Sequence, residues 1–534
     1  MDSKKMNGAM TSPAVAAVDL ISGLSDDVLL HILGFLPAAS DVARTSVLST
    51  RWRHLWELSP ALRFAVGPLS DADVAAARRL VPAVDSVLAR RDAAGGADAD
   101  VKDLEISFPH DRAADDITTP ASVAAWLRFA ERRVTGAFTL ELPFELDMFG
   151  RSRRLLPHAE LPRSARFTAM RLALGGADLA VPPAIAARAA AFPALTDVHL
   201  SHARLDGGAR GDDLRLCSLL SSSCCPRLRR LRLSHVGGLP TLRLDAAATL
   251  EELHLRHLTG TWCLQVDAPG LRSLAVEETH LYFGPEPEAT TRIAAPRLDA
   301  LTFRYSHPGG GSGGINLRFN GGRVEELRLA SHAVHGGTNN AVAAWFLRQC
   351  AAAADRLDLI IEHEDIMKDI PELLNVTDLR MNVEVSMSPH RAGASLAKLI
   401  AKCCKAECLS INISDQGRNQ CVNSICICDQ PEGWEKETIS LECLRIVEIS
   451  SFLPCEDQIR LMHLLLSNAP RGLTVTIYKQ YEDAKDLDLG ILGFRGRWSY
   501  SGPEYHRSGF SVRYEWTPSK RRKVVEMNKE EGKL

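Results

Sequence analysis

Residues 226–233 read PRLRRLRL, and the same skeleton returns as ATLEELHL at 248–255, PGLRSLAV at 269–276, PRLDALTF at 296–303 and GRVEELRL at 322–329, with an earlier copy, PALTDVHL, at 193–200. Each copy sets an apolar residue, a second three positions on, and a third two beyond that. The first members are Leu195, Leu228, Leu250, Leu271, Leu298 and Val324, so the intervals by subtraction are 33, 22, 21, 27 and 26 residues. Those intervals bracket the period of a leucine-rich solenoid. Chance must be set against the pattern: at 46% apolar residues (0.46 cubed is about 0.1), such a triplet arises roughly fifty times in 534 positions. These six stand apart because leucine dominates them, charged residues fill the outward positions, and proline precedes the first leucine by two residues in four of them. Proline is tolerated where a strand begins and not inside a central strand, so it marks each entry. Weaker copies extend the series both ways: VKDLEI at 101–106, FTAMRL at 167–172, DRLDLI at 355–360, VTDLRM at 376–381, ECLSI at 407–411 and LECLRI at 441–446.

In the last three positions of each copy the side chains alternate, so two apolar residues point inward and the one between them points out. The outward set is His199, Arg232, His254, Ala275, Thr302 and Arg328, a mostly polar, partly basic strip. The expected fold is α/β, with parallel strands stacked into a horseshoe-like solenoid.

Composition narrows the class. Charged residues are 24% of the chain and the formal net charge is -3, which disfavours a general nucleic-acid binder. The first eighteen residues hold no continuous apolar stretch, and no later run approaches the eighteen or so apolar residues of a membrane span. Thirteen cysteines, an odd number with adjacent pairs such as Cys224 with Cys225, read as reduced thiols. A soluble protein of the cytoplasm, the nucleus or both is the expectation.

The N-terminal end is organised differently. Residues 19–56 contain three short helical segments. Ser25 stands where it would cap the first, Asp26 and Asp27 put negative charge at the positive end of its dipole, and Pro37 ends it. Val28, Leu29, Ile32, Leu33, Phe35 and Leu36 give that helix a wide apolar face. Ser40 and Asp41 offer caps to a second helix with Val42, Ala43 and Val47, and Leu48, Trp52 and Leu55 mark a third. Roughly forty residues cannot bury so much apolar surface alone, which implies a partner groove.

The stretch from Asp19 to Trp56, with Leu24, the acidic pair, VLLHIL, RTSVLS and RWRHLW, resembles a plant F-box. The resemblance implies binding to a Skp-type adaptor, and through it to cullin and RING subunits. Residue by residue, it puts adaptor contact on Leu24, Ser25, Leu29, Ile32, Leu33, Val47, Leu48 and Trp52, some of which would hold the module together instead. Ser25 stands where the family usually has proline. Residues 434–479 (WEKETISLECLRIVEISSFLPCEDQIRLMHLLLSNAPRGLTVTIYK) resemble the FBD region that closes many plant F-box/leucine-rich-repeat proteins, and a solenoid end needs such a cap. The role these resemblances imply is that of a substrate-recognition subunit of an SCF-type ubiquitin ligase, non-catalytic itself, with target contact expected at His199, Arg232, His254, Thr302 and Arg328. A scaffold built on the same solenoid without a ligase role is the alternative.

The expected organisation is a disordered tail to residue 18, the F-box-like module over 19–66, a linker or first solenoid helix over 67–100 and the solenoid over 101–433. The FBD-like cap over 434–480 comes next, then an extension over 481–518 and a disordered charged tail over 519–534. HPGGGSGG (307–314) reads as a flexible insertion, RDAAGGADAD (91–100) as a link, and SKRRK (519–523) as a solvated end that could also serve nuclear import. Cys403, Cys404, Cys408, Cys421, Cys426 and Cys428 cluster without a CxxC pair, so buried thiols are expected rather than zinc. His363 between two glutamates reads as an exposed turn. No cofactor and no catalytic constellation is expected.

Overall fold

The computed structural model describes residues 21, 23–65, 71–96, 100–108, 118–142, 159–183, 190–205, 211–245, 248–279, 290–306, 317–321, 324–332, 340–350, 354–361, 370–384, 393–414, 433–436, 438–451, 456–468, 470, 472–480, 496–506 and 509–518. The glycine-rich insertion, the His363 turn, the SKRRK run and Cys421, Cys426 and Cys428 lie outside them. The chain forms two compact units, residues 1–143 and 144–534.

The first unit opens with α1 (Asp26–Gly34), α2 (Ala39–Arg44) and α3 (Thr50–Leu55). It continues with β1 (Ala61–Ala65), α4 (Asp71–Ala94), β2 (Asp103–Ser107), α5 (Pro120–Arg133) and β3 (Ala137–Glu141). The three strands are parallel, with Leu62, Leu104 and Phe138 in one register column and Phe64, Ile106 and Leu140 in the next. All six are buried. Helix α5 starts where Thr119 Oγ1 accepts from the Ser122 amide at 3.2 Å and Pro120 supplies a preset φ. Its inner face packs Trp126 against Phe108, ring centroids 6.1 Å apart, and Trp126 Nε1 donates to Asp85 of α4 at 2.7 Å. The proposed link at Arg91 is still helix: Arg91 is 6% exposed and donates to the carbonyls of Glu57, Leu58 and Asp100.

The second unit begins with β4 (Ala159–Glu160) and β5 (Ala169–Ala180), then β6 (Asp197–Arg204), α6 (Asp212–Leu219), β7 (Arg230–Gly237), β8 (Thr241–Leu244), β9 (Glu252–Arg256) and β10 (Cys263–Asp267). Next come β11 (Ser273–Glu277), β12 (Thr290–Ala295), β13 (Ala300–Ser306), β14 (Leu317–Gly321), β15 (Glu326–His332), α7 (Asn340–Cys350) and β16 (Arg356–Ile361). The rest are β17 (Asp378–Glu384), α8 (Gly393–Lys402), β18 (Cys408–Ser414), β19 (Ile446–Ser450), α9 (Glu456–Ser467), β20 (Thr474–Gln480), β21 (Gly496–His506) and β22 (Gly509–Pro518).

Strands β5, β6, β7, β9, β11, β13, β15, β16, β17, β18, β19 and β20 pair in that order, all parallel. In the six best copies every apolar member of the triplet is buried, from Leu195, Val198 and Leu200 to Val324, Leu327 and Leu329. Each such side chain contributes about 1.5–3 kcal/mol of transfer free energy. The return path depends on the interval. Where the buried leucine recurs after 30 residues (Leu327 to Leu357, Leu379 to Leu409), a helix returns the chain: α7 and α8. Between β7 and β15, where it recurs after 21 to 27, a short strand does, and β8, β10, β12 and β14 form a second parallel sheet. Leu242, Leu244, Leu264, Val266 and Ile293 of that sheet are buried.

The copy expected at Leu441, Leu444 and Ile446 is out of register by three. Ile446 is 42% exposed, and the buried triplet is Leu444, Val447 and Ile449. Both frames satisfy the spacing; only one faces the core. Beyond β20 the direction changes: β22 pairs antiparallel with β20 (Val475 opposite Trp516) and β21 antiparallel with β22, with a bulge between Ser501 and Glu504. The strands of the extension over 496–518 therefore cover the edge of the sheet at β20.

Candidate functional site

The helical module folds around Leu29, Leu33, Val42 and Leu55, with Leu24, Leu30, Leu36, Trp52 and Trp56 packed against them. Leu29 and Leu33, expected at an adaptor face, are 1% and 0% exposed and belong to this core. The helix has apolar residues on two sides, and α2 and α3 cover only one. The other carries Val28, Ile32 and Phe35 at helical spacings of four and three, all exposed, with Phe35 at 74%. Val47, at the end of the short turn of helix between α2 and α3, and Leu48, which caps it, are also exposed, Val47 at 84%. Six large apolar side chains, Ile21 among them, thus face solvent on a module that has its own core. Monomeric surfaces rarely expose so much apolar side chain in so little chain.

Two arginines fix the frame that presents them. Arg51 of α3 donates to Asp26 Oδ1 at 2.7 Å and to the Leu24 carbonyl at 2.6 Å, tying the start of α1 to α3. Arg63 of β1 donates to the Gly34 and Leu36 carbonyls at 2.8 and 3.1 Å, closing the C-terminal end of α1. Ser25 is exposed and occupies the N-cap position, but its side chain makes no capping bond, which corrects the expected cap. Ser40 and Asp41 also fall inside α2 rather than before it. Asp41 accepts from Arg44 at 3.0 Å.

In the second unit, the outward positions line up across the strands. His199, Arg232, His254, Ala275, Thr302 and Arg328 occupy one register row on β6, β7, β9, β11, β13 and β15, which continues through Asp358, Arg380, Ser410, Glu448 and Thr476. The expected target-contact residues are therefore one line of neighbours. Over β15, β16 and β17 this row and the one before it alternate in sign: Glu326, Arg356 and Asp378 beside Arg328, Asp358 and Arg380. Arg328 donates to Glu326 at 2.8 Å and Arg380 to Asp378 at 3.1 Å. Burial pushes the Asp358 carboxyl up against the pull of Arg328 and Arg380.

Nearer the first strands the face is different. His202, His235 and His257 hold left-handed backbone, φ 49°, 53° and 49°, and their imidazoles stack with centroids 4.5 and 4.4 Å apart. Sequence periodicity gave no warning of this ladder, although LSH, LSH and LRH recur at 200–202, 233–235 and 255–257.

Among the described residues no group of three or more His, Cys, Asp or Glu side chains is placed to hold a metal ion, and no helix is long and apolar enough to cross a membrane. Cys403 is buried, and that burial pushes its thiol up to about 12, a packing cysteine rather than a nucleophile.

Comparison with known proteins divides the same way. A family model for the F-box domain matches residues 21–63, and one described as FBD-associated F-box protein At5g56370, LRR repeats, matches residues 134–308. Residues of the chain are 56% identical over 46 positions to F-box/LRR-repeat protein 25 of Arabidopsis thaliana, covering 9% of this chain and 18% of that one. They are 55% identical over 49 positions to FBD-associated F-box protein At5g56370 of the same plant, covering 9% and 11%. A longer match, 30% over 116 positions, covers 22% of this chain and 24% of FBD-associated F-box protein At1g66310 of Arabidopsis thaliana. The chain thus spans less than a quarter of the length of each of these relatives.

Proposed function

We propose that the chain, which is similar to plant F-box/leucine-rich-repeat proteins over residues 21–63 and 134–308, serves as the target-recognition subunit of a Skp adaptor–cullin–RING ubiquitin ligase. The helical module binds the adaptor through Val28, Ile32, Phe35, Val47 and Leu48, with Leu24 and Trp52 supporting them from the core side. The outward row of the second unit holds the target. The chain itself contributes proximity and orientation, bringing a target lysine to a ubiquitin-charged enzyme carried by the partner subunits. It works in the cytosol or nucleus, where the nine free cysteines of the described residues stay reduced.

One observation carries the reading: a module with a complete small core still exposes a second apolar side. The test is binding of the purified full chain to a Skp-type adaptor. The wild type binds, and Ile32→Asp with Val47→Asp abolishes binding while leaving the unfolding transition in place, since both side chains are solvent-facing. Failure of the folded wild type to bind would favour a scaffold that holds its partner without a ligase.

A further inference from the structure

We propose that the outward face of β5, β6, β7 and β9 docks a carboxylate-rich peptide segment of the target. Calling that segment part of a target rests on the receptor reading; the surface itself does not depend on it. The middle row of these four strands is Arg171, His199, Arg232 and His254, in register. The next row holds Ala173, Ser201, Ser234 and Arg256, with His199 Nε2 3.2 Å from Ser234 Oγ. The third is the imidazole ladder of His202, His235 and His257, with Gly175 (φ 64°) at the same bend of β5. Three arginines, five histidines and no carboxylate occupy these rows.

Acidic residues stand on the rim. In the row before, Asp197 pairs with Arg230, and Glu252 Oε2 is 3.5 Å from Arg232 Nη2. Glu277 lies 3.9 Å from Arg256 Nε and 3.6 Å from His254 Nε2, and Glu278 lies 3.6 Å from Arg256 Nε and pairs with His257. In these rim contacts the guanidinium N–H groups face carboxylate oxygens, the same pairing an incoming carboxylate would make. Over β15 to β17, by contrast, a carboxylate stands in the middle row itself, Asp358 between Arg328 and Arg380, and repels an incoming anion at the centre of the face. Left-handed backbone is strained for residues other than glycine, and strain of this kind collects where a surface is used. The basic rows are about 15 Å across, three strand spacings of about 4.8 Å. That width suits a short peptide rather than the longer phosphate track and stacking aromatics of a nucleic-acid groove.

The experiment is fluorescence anisotropy of the full chain with a short glutamate-rich peptide, the same peptide with every glutamate replaced by glutamine, and single-stranded RNA. Adaptor binding is measured on the same preparation. The glutamate peptide binds and the glutamine peptide does not. Rising salt weakens the complex, and Arg232→Glu lowers affinity about tenfold. Arg272→Glu is the matched control: its side chain is 70% exposed at the start of β11, outside these rows, and it changes affinity less than about twofold. Equal binding of both peptides, insensitivity to Arg232→Glu, or tighter binding of RNA would overturn the proposal. A chain that binds adaptor but not the glutamate peptide would sink this inference alone. One that binds the peptide but not the adaptor would sink the receptor reading and leave the surface standing.

Discussion

The imidazole of His235 lies over that of His257 with ring centroids 4.4 Å apart, each on a residue with positive φ. Burial, then the neighbouring His257 and Arg256, hold the His235 ring down at about 4, against the opposing pull of Glu278. The unfolded chain therefore takes this proton more readily than the folded one. The stability it contributes is whole above about 6.5, the ordinary imidazole value, and is lost as pH falls toward about 4.

Urea unfolding followed from pH 7.5 downward should accordingly show a falling midpoint below about pH 6.5. In His235→Asn, which keeps a side chain tolerant of left-handed backbone and removes the proton, the fall should be smaller. An unchanged acid slope in that variant would clear the ladder of any part in it.

Arg91→Met should destabilise the first unit by about 3 kcal/mol, because it leaves the carbonyls of Glu57, Leu58 and Asp100 without their shared donor. Arg91→Lys should recover only part of this, since one ammonium cannot span the three acceptors as a guanidinium fork does. Chemical denaturation of the three chains gives the comparison.

Asp358→Asn should change stability by less than about 1 kcal/mol, because the lost attraction to Arg328 and Arg380 is offset by relief from burying a charge. Asp358→Arg places three guanidinium groups side by side in register and should cost more, about 1–2 kcal/mol. Adding Arg380→Asp should restore part of the difference, read as a non-additive double-mutant cycle.

Gly238 has φ 68°, and a Cβ there would collide with the Leu205 carbonyl oxygen of the preceding repeat. Gly238→Ala combines a left-handed penalty with a backbone clash and should cost about 3 kcal/mol in thermal or urea unfolding. A near-neutral result would mean that the turn after β7 moves freely, which the pairing of β7 with both its neighbours opposes.

The repeats were legible where large apolar residues, mostly leucine, filled all three positions at the expected spacing, and hidden where a polar residue or a changed step intervened. β1 escaped because its leading position is Ser59, a buried residue whose hydroxyl donates to the Ala61 carbonyl at 3.0 Å. β3 escaped because Gly136 lengthens the step, so Val134, Phe138 and Leu140 fall at four and two rather than three and two. The return strands β10, β12 and β14 carry alternation without a leading leucine and read only as spacers, while β8, led by the buried Leu239 three residues before Leu242, fits the triplet and is masked by the stronger copies on either side. On the helical module the sequence named the apolar residues but could not divide them. Leu29 and Phe35 look equivalent on a helix until Val42 and Leu55 choose a side. The His ladder was invisible for another reason, since no hydrophobic period reports a side-chain stack or a positive φ.

The antiparallel turn at the end of the second unit bears on self-assembly. A row of parallel strands offers its open edge to any strand of like pattern, including one from another copy, and growth by such addition leads to fibres. Here the last parallel strand, β20, is occupied by β22, and β21 beyond it carries Pro503 within a bulge, a poor template for a further partner. The closing hairpin thus acts as a stop to polymerisation, and a chain cut before Gly496 would carry an adhesive end.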